Sequence, residues 1–157
     1  MRKILKLSRA LDQSISPIDH QYEFITFDAA LHSKAWLDLN NEIFKVHPDQ
    51  GNWALADLNN RMQEPWFDCN GFFLCLRDGA IVGFCWTKIH HDFVNVDPVG
   101  ELYVIGVAPD SANQGIGKAV CTEGLIYLRN KGIKSAILYV DEDNEAGIGL
   151  YKSLGFN

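Results

Sequence analysis

The stretch ELYVIGVAPDSANQGIGKAV, from Glu101 to Val120, leaves the fold the least choice. An apolar, strand-like run ends at Pro109, and a polar loop follows. Gly115 and Gly117 then open a helix in which Ile116, Val120, Leu125 and Leu128 share a face. Gly132 ends that helix, and KSAILYV supplies another buried strand. This is a β-α-β unit, which belongs in a sheet with helices packed on it.

The upstream half reads differently. In GFFLCLRDGAIVGFCWTKIH, two apolar runs flank Asp78-Gly79, the signal of a two-residue type I′ hairpin. YEFITF, Tyr22 to Phe27, alternates and is rich in aromatic and β-branched residues, so it is a strand. The next twenty residues place Leu31, Ala35, Leu39 and Phe44 on one helical face, with Asp28 or Ser33 as cap. PDQGN breaks the pattern, a second short helix covers Ala54 to Met62, and Pro65 closes it. HHDFVNVDP is a polar loop, and EDNEAGIGLYKSLGF is a helix running into a Gly-Phe end. Residues 1–20 form an arm or leading strand ending near Pro17. The order is β-α-α-β-β-β-α-β-α: an α/β (α+β) fold with a mixed, mostly antiparallel central sheet flanked by helices.

The 157 residues suit a single domain spanning 1–157. No stretch approaches the ~18 consecutive apolar residues of a membrane span, and the N-terminus lacks the apolar core of a signal peptide. The expectation is a cytoplasmic protein with no membrane partner. The net charge of −6 argues against a nucleic-acid partner. Cys69, Cys75, Cys85 and Cys121 form no C-x-x-C pair and read as buried free thiols, and His47, His90 and His91 lack a third ligand at metal spacing. No metal is expected.

The glycine-rich loop raises the question of a phosphate. A helix start has unpaired N–H groups and about half a unit of positive charge, so glycines there let a polyphosphate approach the backbone. Gln114-Gly115-Ile116-Gly117-Lys118 fits that description. Two familiar loops do not fit. A Walker A loop needs a glycine where Ala112 stands and Ser or Thr where Ala119 stands, and a dinucleotide fingerprint needs glycine at Val120.

A third pattern does fit. The acetyl-CoA loop of the GNAT N-acetyltransferases reads roughly V-x-P-x-x-[QR]-x-x-G-x-[GA], and Val107, Pro109, Gly115 and Gly117 match it. DNEAGIGLYKSLGF is similar to the family's second cofactor segment, through Asn144, Ala146, Tyr151, Gly155 and Phe156. FKVHPDQGNW, EPWFD, WTK, GELYVIGVAP and LYVDEDN closely resemble the C-terminal GNAT domain of the mycothiol synthases, from about Asn40 to Phe156. There are departures. Ala112 stands in the Gln/Arg slot with Gln114 just before the glycine, and Gly149 replaces a longer residue. The family also continues past its Gly-Phe into one last strand, which is missing here. The chain is then a shortened form, or that sheet edge is left open or filled by another chain, a homodimer included.

The resemblance implies the chemistry: direct transfer of acetyl from acetyl-CoA, as co-substrate, to the amine of a small-molecule acceptor. It implies Glu101 as the base that deprotonates the amine and Tyr151 as the acid that protonates the departing thiolate. It places Ile105, Gly106 and Val107 against the thioester, with Gly106 permitting the strand to splay. Ala112, Asn113, Gln114, Gly115, Ile116, Gly117 and Lys118 would lie around the pyrophosphate, with Tyr139 and Asn144 near the rest of CoA. The acceptor pocket would draw on His47, Trp53, Lys88 and Glu101, with Trp66, Asp68 and Trp86 as further candidates. Read without the resemblance, Glu101 is a strand-end carboxylate, Tyr151 a core tyrosine and Asn144 a helix cap. A GNAT-like module that binds acyl-CoA without catalysis is the alternative function.

Overall fold

The computed structural model describes residues 3–12, 15, 22–47, 50–91 and 97–157. Pro17, residues 48–49 of the PDQGN break and residues 92–96 of the HHDFVNVDP loop lie outside the described residues. The elements are β1 (Ile4–Ala10), β2 (Glu23–Thr26), α1 (Ala29–Ile43), α2 (Leu55–Met62), β3 (Phe72–Arg77), β4 (Ala80–His90), β5 (Val99–Val107), α3 (Ile116–Asn130), β6 (Ser135–Asp141) and α4 (Glu145–Ser153). The strands form one sheet in the order β1-β6-β5-β4-β3-β2. The β5–β6 pair is parallel and every other pair is antiparallel. Among the described residues, no helix is long and apolar enough to cross a membrane.

The hairpin forms where its turn residues put it. Asp78 and Gly79 both have positive φ (53° and 80°), as a type I′ turn requires. Asp28 caps α1, its carboxylate accepting from the Ala30 N–H at 2.9 Å. The expected face of α1 is corrected. Leu31 and Ala35 are exposed and Leu39 and Phe44 only half-buried, while Trp36, Leu37 and Asn40 are buried. Trp36 decides the rotation, because its ring packs among Trp53, Phe72, Phe84 and Trp86.

Among the described residues, the two larger apolar cores lie on opposite faces of the sheet. On one, Val120, Cys121, Leu125 and Leu128 of α3 and Tyr151 of α4 pack on Cys85, Leu102, Ala136 and Leu138. On the other, α1 and α2 bury Trp36, Leu37 and Leu58 against Phe72, Leu74, Phe84, Trp86 and Val104. That second cover leaves part of β6 open, so β6 buries one face rather than both: Ala136, Leu138 and Val140 are inside and Tyr139 is 53% exposed.

The outer edge of β6 is covered within the chain. β1 pairs with it from Ile4↔Asp141 to Ala10↔Ser135. No strand follows α4 among the described residues, and Asn157 exchanges two backbone hydrogen bonds with Ser8 of β1, at 2.9 and 3.0 Å.

Candidate active site

Two irregularities in β5 shape the candidate site. The first is a bulge. Trp86 pairs with Val104 but Thr87 with Leu102, which leaves Tyr103 without a partner across the ladder. The extra residue reverses the facing of the strand: Leu102 packs in the α3 core, and Val104 in the α1 core. The second is a splay. β5 and β6 pair only at Gly100↔Ala136 and Glu101↔Ile137. From Leu102 to Val107 the β6 side of β5 has no paired strand residue among the described residues, which opens a wedge lined by backbone groups. Gly106 is closely packed on its Cβ side: a Cβ there would stand 2.7 Å from Phe84 and 2.9 Å from Ile43.

The α3 N-terminus lies past the end of β5. Ala119 is the first residue to close the helix, its N–H donating to the Gly115 carbonyl at 3.1 Å. The N–H groups of Ile116, Gly117 and Lys118 therefore precede the ladder, as at any helix start. Gly115 sits at φ +78° and Asn113 at +64°, turning the exposed loop 112–115 into the helix. Gly117 packs closely on α4: a Cβ there would lie 3.1 Å from the Leu150 side chain. Arg77, which the sequence reading passed over, braces this loop from β3. Its guanidinium donates to Gln114 Oε1 and to Ser111 Oγ. The Gln114 side chain is thereby tied to Arg77, while Ala112 and Lys118 are exposed.

Glu101 sits at the root of the wedge and is 7% exposed. Its Oε1 lies 2.7 Å from Nε2 of His90, the last residue of β4. The sequence reading saw His90 only as half of a His-His pair in a loop, because its partner is eleven residues further on and across the ladder. Lys88 is the register partner of Glu101, but its ammonium rests over the rings of Trp66 (4.7 Å) and Tyr103 (5.3 Å). Arg61, also unanticipated, lies 3.9 Å from the centre of the Trp53 ring and donates from Nε to the Tyr103 hydroxyl. Trp53, Trp66, Tyr103, Arg61 and Lys88 thus form one aromatic and cationic wall near Glu101.

The remaining candidates fall in several places. His47 approaches Asp141, at the end of β6, with Nε2 3.5 Å from the carboxylate. Trp86 is fully buried and Asp68 lies elsewhere, accepting from the Tyr127 hydroxyl at 2.7 Å. Tyr139 faces a cavity of about 600 Å3 that it lines with Lys6, His90, Ile137 and Asn157. Asn144 caps α4, its Oδ1 accepting from the Gly147 N–H. Tyr151 is buried in the α3 core, where burial first, and then the Cys121 and Cys85 thiols, push its phenol well above the usual value. It therefore holds its proton across the ordinary pH range. Cys75, Cys85 and Cys121 are buried free thiols, but Cys69, in the turn that leads into β3, is exposed. Among the described residues, no three metal-ligating side chains converge.

Residues 33–156 match the family model described as "Acetyltransferase (GNAT) family". The chain belongs to the GNAT acetyltransferase family. A mycothiol acetyltransferase of Thermobispora bispora is 50% identical over 132 residues, which is 83% of this chain and 45% of that protein. The chain spans about half the length of the curated relatives it matches. A GNAT structure from Sphaerobacter thermophilus superposes with TM-score 0.76 at 21% identity, covering 99% of this chain and 48% of that one. AAC(6')-Iy, solved with a CoA-containing bisubstrate analog, gives TM-score 0.71 at 25% identity, covering 88% of this chain and 92% of that one. The glycine-rich segment opens α3, and the segment from Asn144 caps and builds α4.

Proposed function

We propose that this chain is an N-acetyltransferase domain that moves acetyl from acetyl-CoA to the amine of a small-molecule acceptor. The observation that carries this reading is the buried Glu101 carboxylate at the root of the β5–β6 wedge, in a sheet whose wedge leads toward the α3 N-terminus. The residues present fit acetyl-CoA. Unpaired helix N–H groups and glycines suit its pyrophosphate, and the unpaired backbone of β5 offers donors to a thioester carbonyl. When bound, acetyl-CoA supplies the activated acetyl group.

The protein's own part is proton handling and orientation. Glu101 takes a proton from the acceptor ammonium and frees the lone pair that attacks. Positioned groups of this kind contribute roughly 10²–10⁴-fold. Tyr151 keeps its phenolic proton and gives it to the departing thiolate. Lys88, Trp53 and His47 contribute to holding the acceptor, and Ile105 to Val107 line the thioester end. The relatives named mycothiol acetyltransferase support a cysteinyl amino-sugar conjugate as the acceptor class. A non-catalytic acyl-CoA-binding module would need neither the buried carboxylate nor the protonated phenol.

The test has two stages. Acetyl-CoA and CoA should raise the melting temperature by linkage, and ATP should not. CoA release is then measured against a panel of amines. Glu101→Gln and Tyr151→Phe should each slow turnover by ~10²-fold or more while keeping the acetyl-CoA melting shift. Unchanged rates in both would remove the assigned roles, and no shift with either CoA ligand would remove the function.

A further inference from the structure

Glu101 and His90 form a pair whose use follows from burial. The Glu101 side chain is 9% exposed, and a carboxylate so enclosed needs a polar partner. Lys88 stands opposite it in the ladder, but its ammonium is committed to the Trp66 and Tyr103 rings. Among the described residues, the ion-pair partner of Glu101 is His90, with Nε2 at 2.7 Å from Oε1. An ionised carboxylate can only accept, so Nε2 carries the hydrogen and donates it. That bond occupies one oxygen and holds the carboxylate in one orientation. The other oxygen remains for a substrate.

Resting on the acetyltransferase reading above, we infer that His90 is a positioning residue that acts through Glu101, holding Oε1 so that Oε2 meets the acceptor ammonium. In the proton step, Oε2 forms a bond to one ammonium hydrogen and that N–H bond breaks. Its electron pair stays on the acceptor nitrogen, and Glu101 becomes the neutral acid. His90 keeps its Nε2 hydrogen throughout. The imidazole sits on the wall of the 600 Å3 cavity with Lys6, Ile137 and Tyr139, its side chain 21% exposed. His90 is the last residue of β4.

The test is a double-mutant cycle on the full chain, reading CoA release with cysteinyl-glucosamine as acceptor. His90→Leu should lower kcat by about 10- to 100-fold, the scale of a lost hydrogen bond to a charged group, and leave the acetyl-CoA melting shift unchanged. His90→Gln, whose amide N–H reaches the same place, should restore most of the rate. In the Glu101→Gln background, His90→Leu should cost nothing further. Equal losses in both backgrounds, or no rescue by glutamine, would overturn the inference. If Glu101→Gln slows turnover and His90→Leu does not, this inference falls and the base assignment stands. If Glu101→Gln is itself harmless, the base assignment falls and takes this inference with it. Imidazole 15N spectra need no acceptor: they should show His90 protonated at Nε2 at neutral pH, and a bare Nε2 would overturn the pairing.

Discussion

Cys75 shows how strongly one small group can be committed to its neutral form. It is fully buried on β3 with Val82, Ala108 and Ile116. Burial pushes its thiol from the ordinary 9.0 up to about 11, against a smaller opposing pull from Arg77. The unfolded chain ionises this thiol first. Its contribution to stability is therefore complete below about pH 9 and is lost as pH rises toward about 11. The melting temperature should fall across that window, and fall less steeply in Cys75→Ala; parallel slopes in the two proteins would refute the assignment. The residue scale is also where the sequence was least legible. Glu101 could be singled out by its place in a motif, but His90 and Arg77 acquire meaning only through partners brought to them by the ladder and the loop. Asn40 carries no local signal of its place either: it is buried on α1, and its amide donates to the Gln50 carbonyl at 2.8 Å.

Among the elements, local chemistry and tertiary packing had separate shares. The Asp78-Gly79 hairpin and the start of α3 were readable because positive φ restricts which residues can stand there. The α3 face was readable because Ile116, Val120, Leu125 and Leu128 are all buried, giving a pattern of one period. The α1 face was not, because Trp36 outweighs the more numerous aliphatic residues around the helix. The bulge at Tyr103 and the wedge beyond Glu101 leave no mark in the apolar run ELYVIGV, since both depend on what the neighbouring strands do. Helix α4 holds an avoidable weakness. Gly149 is inside it, its φ is not positive, and a Cβ there would meet nothing within 4 Å. Gly149→Ala should stabilise the protein by about 0.5–1 kcal/mol, seen as a higher urea midpoint at unchanged slope.

For the whole molecule, β1 is the piece that closes the sheet. Leu7 is 7% exposed, belongs to the α3 core and pairs with Leu138. Leu7→Ala should cost about 2–4 kcal/mol in chemical unfolding, whereas Leu31→Ala, at a position 75% exposed, should stay within about 0.5 kcal/mol. A loss at Leu31 as large as that at Leu7 would contradict the corrected face of α1. The sequence allowed residues 1–20 to be an arm or a strand, because nothing local says which distant edge such a segment joins.

That closure also sets an order of events in time. The β3–β4 hairpin can form from neighbours, but Ile4 must find Asp141 and Ala10 must find Ser135, across almost the whole length of the chain. The entropy of closing so large a loop has to be met before the pairing returns anything, so this contact belongs late in folding. Until then β6 presents an unsatisfied edge to other chains. During synthesis β1 emerges before β6 and waits for that partner while the four strands between them are made. The interval between those two moments is when this fold is most exposed to mispairing.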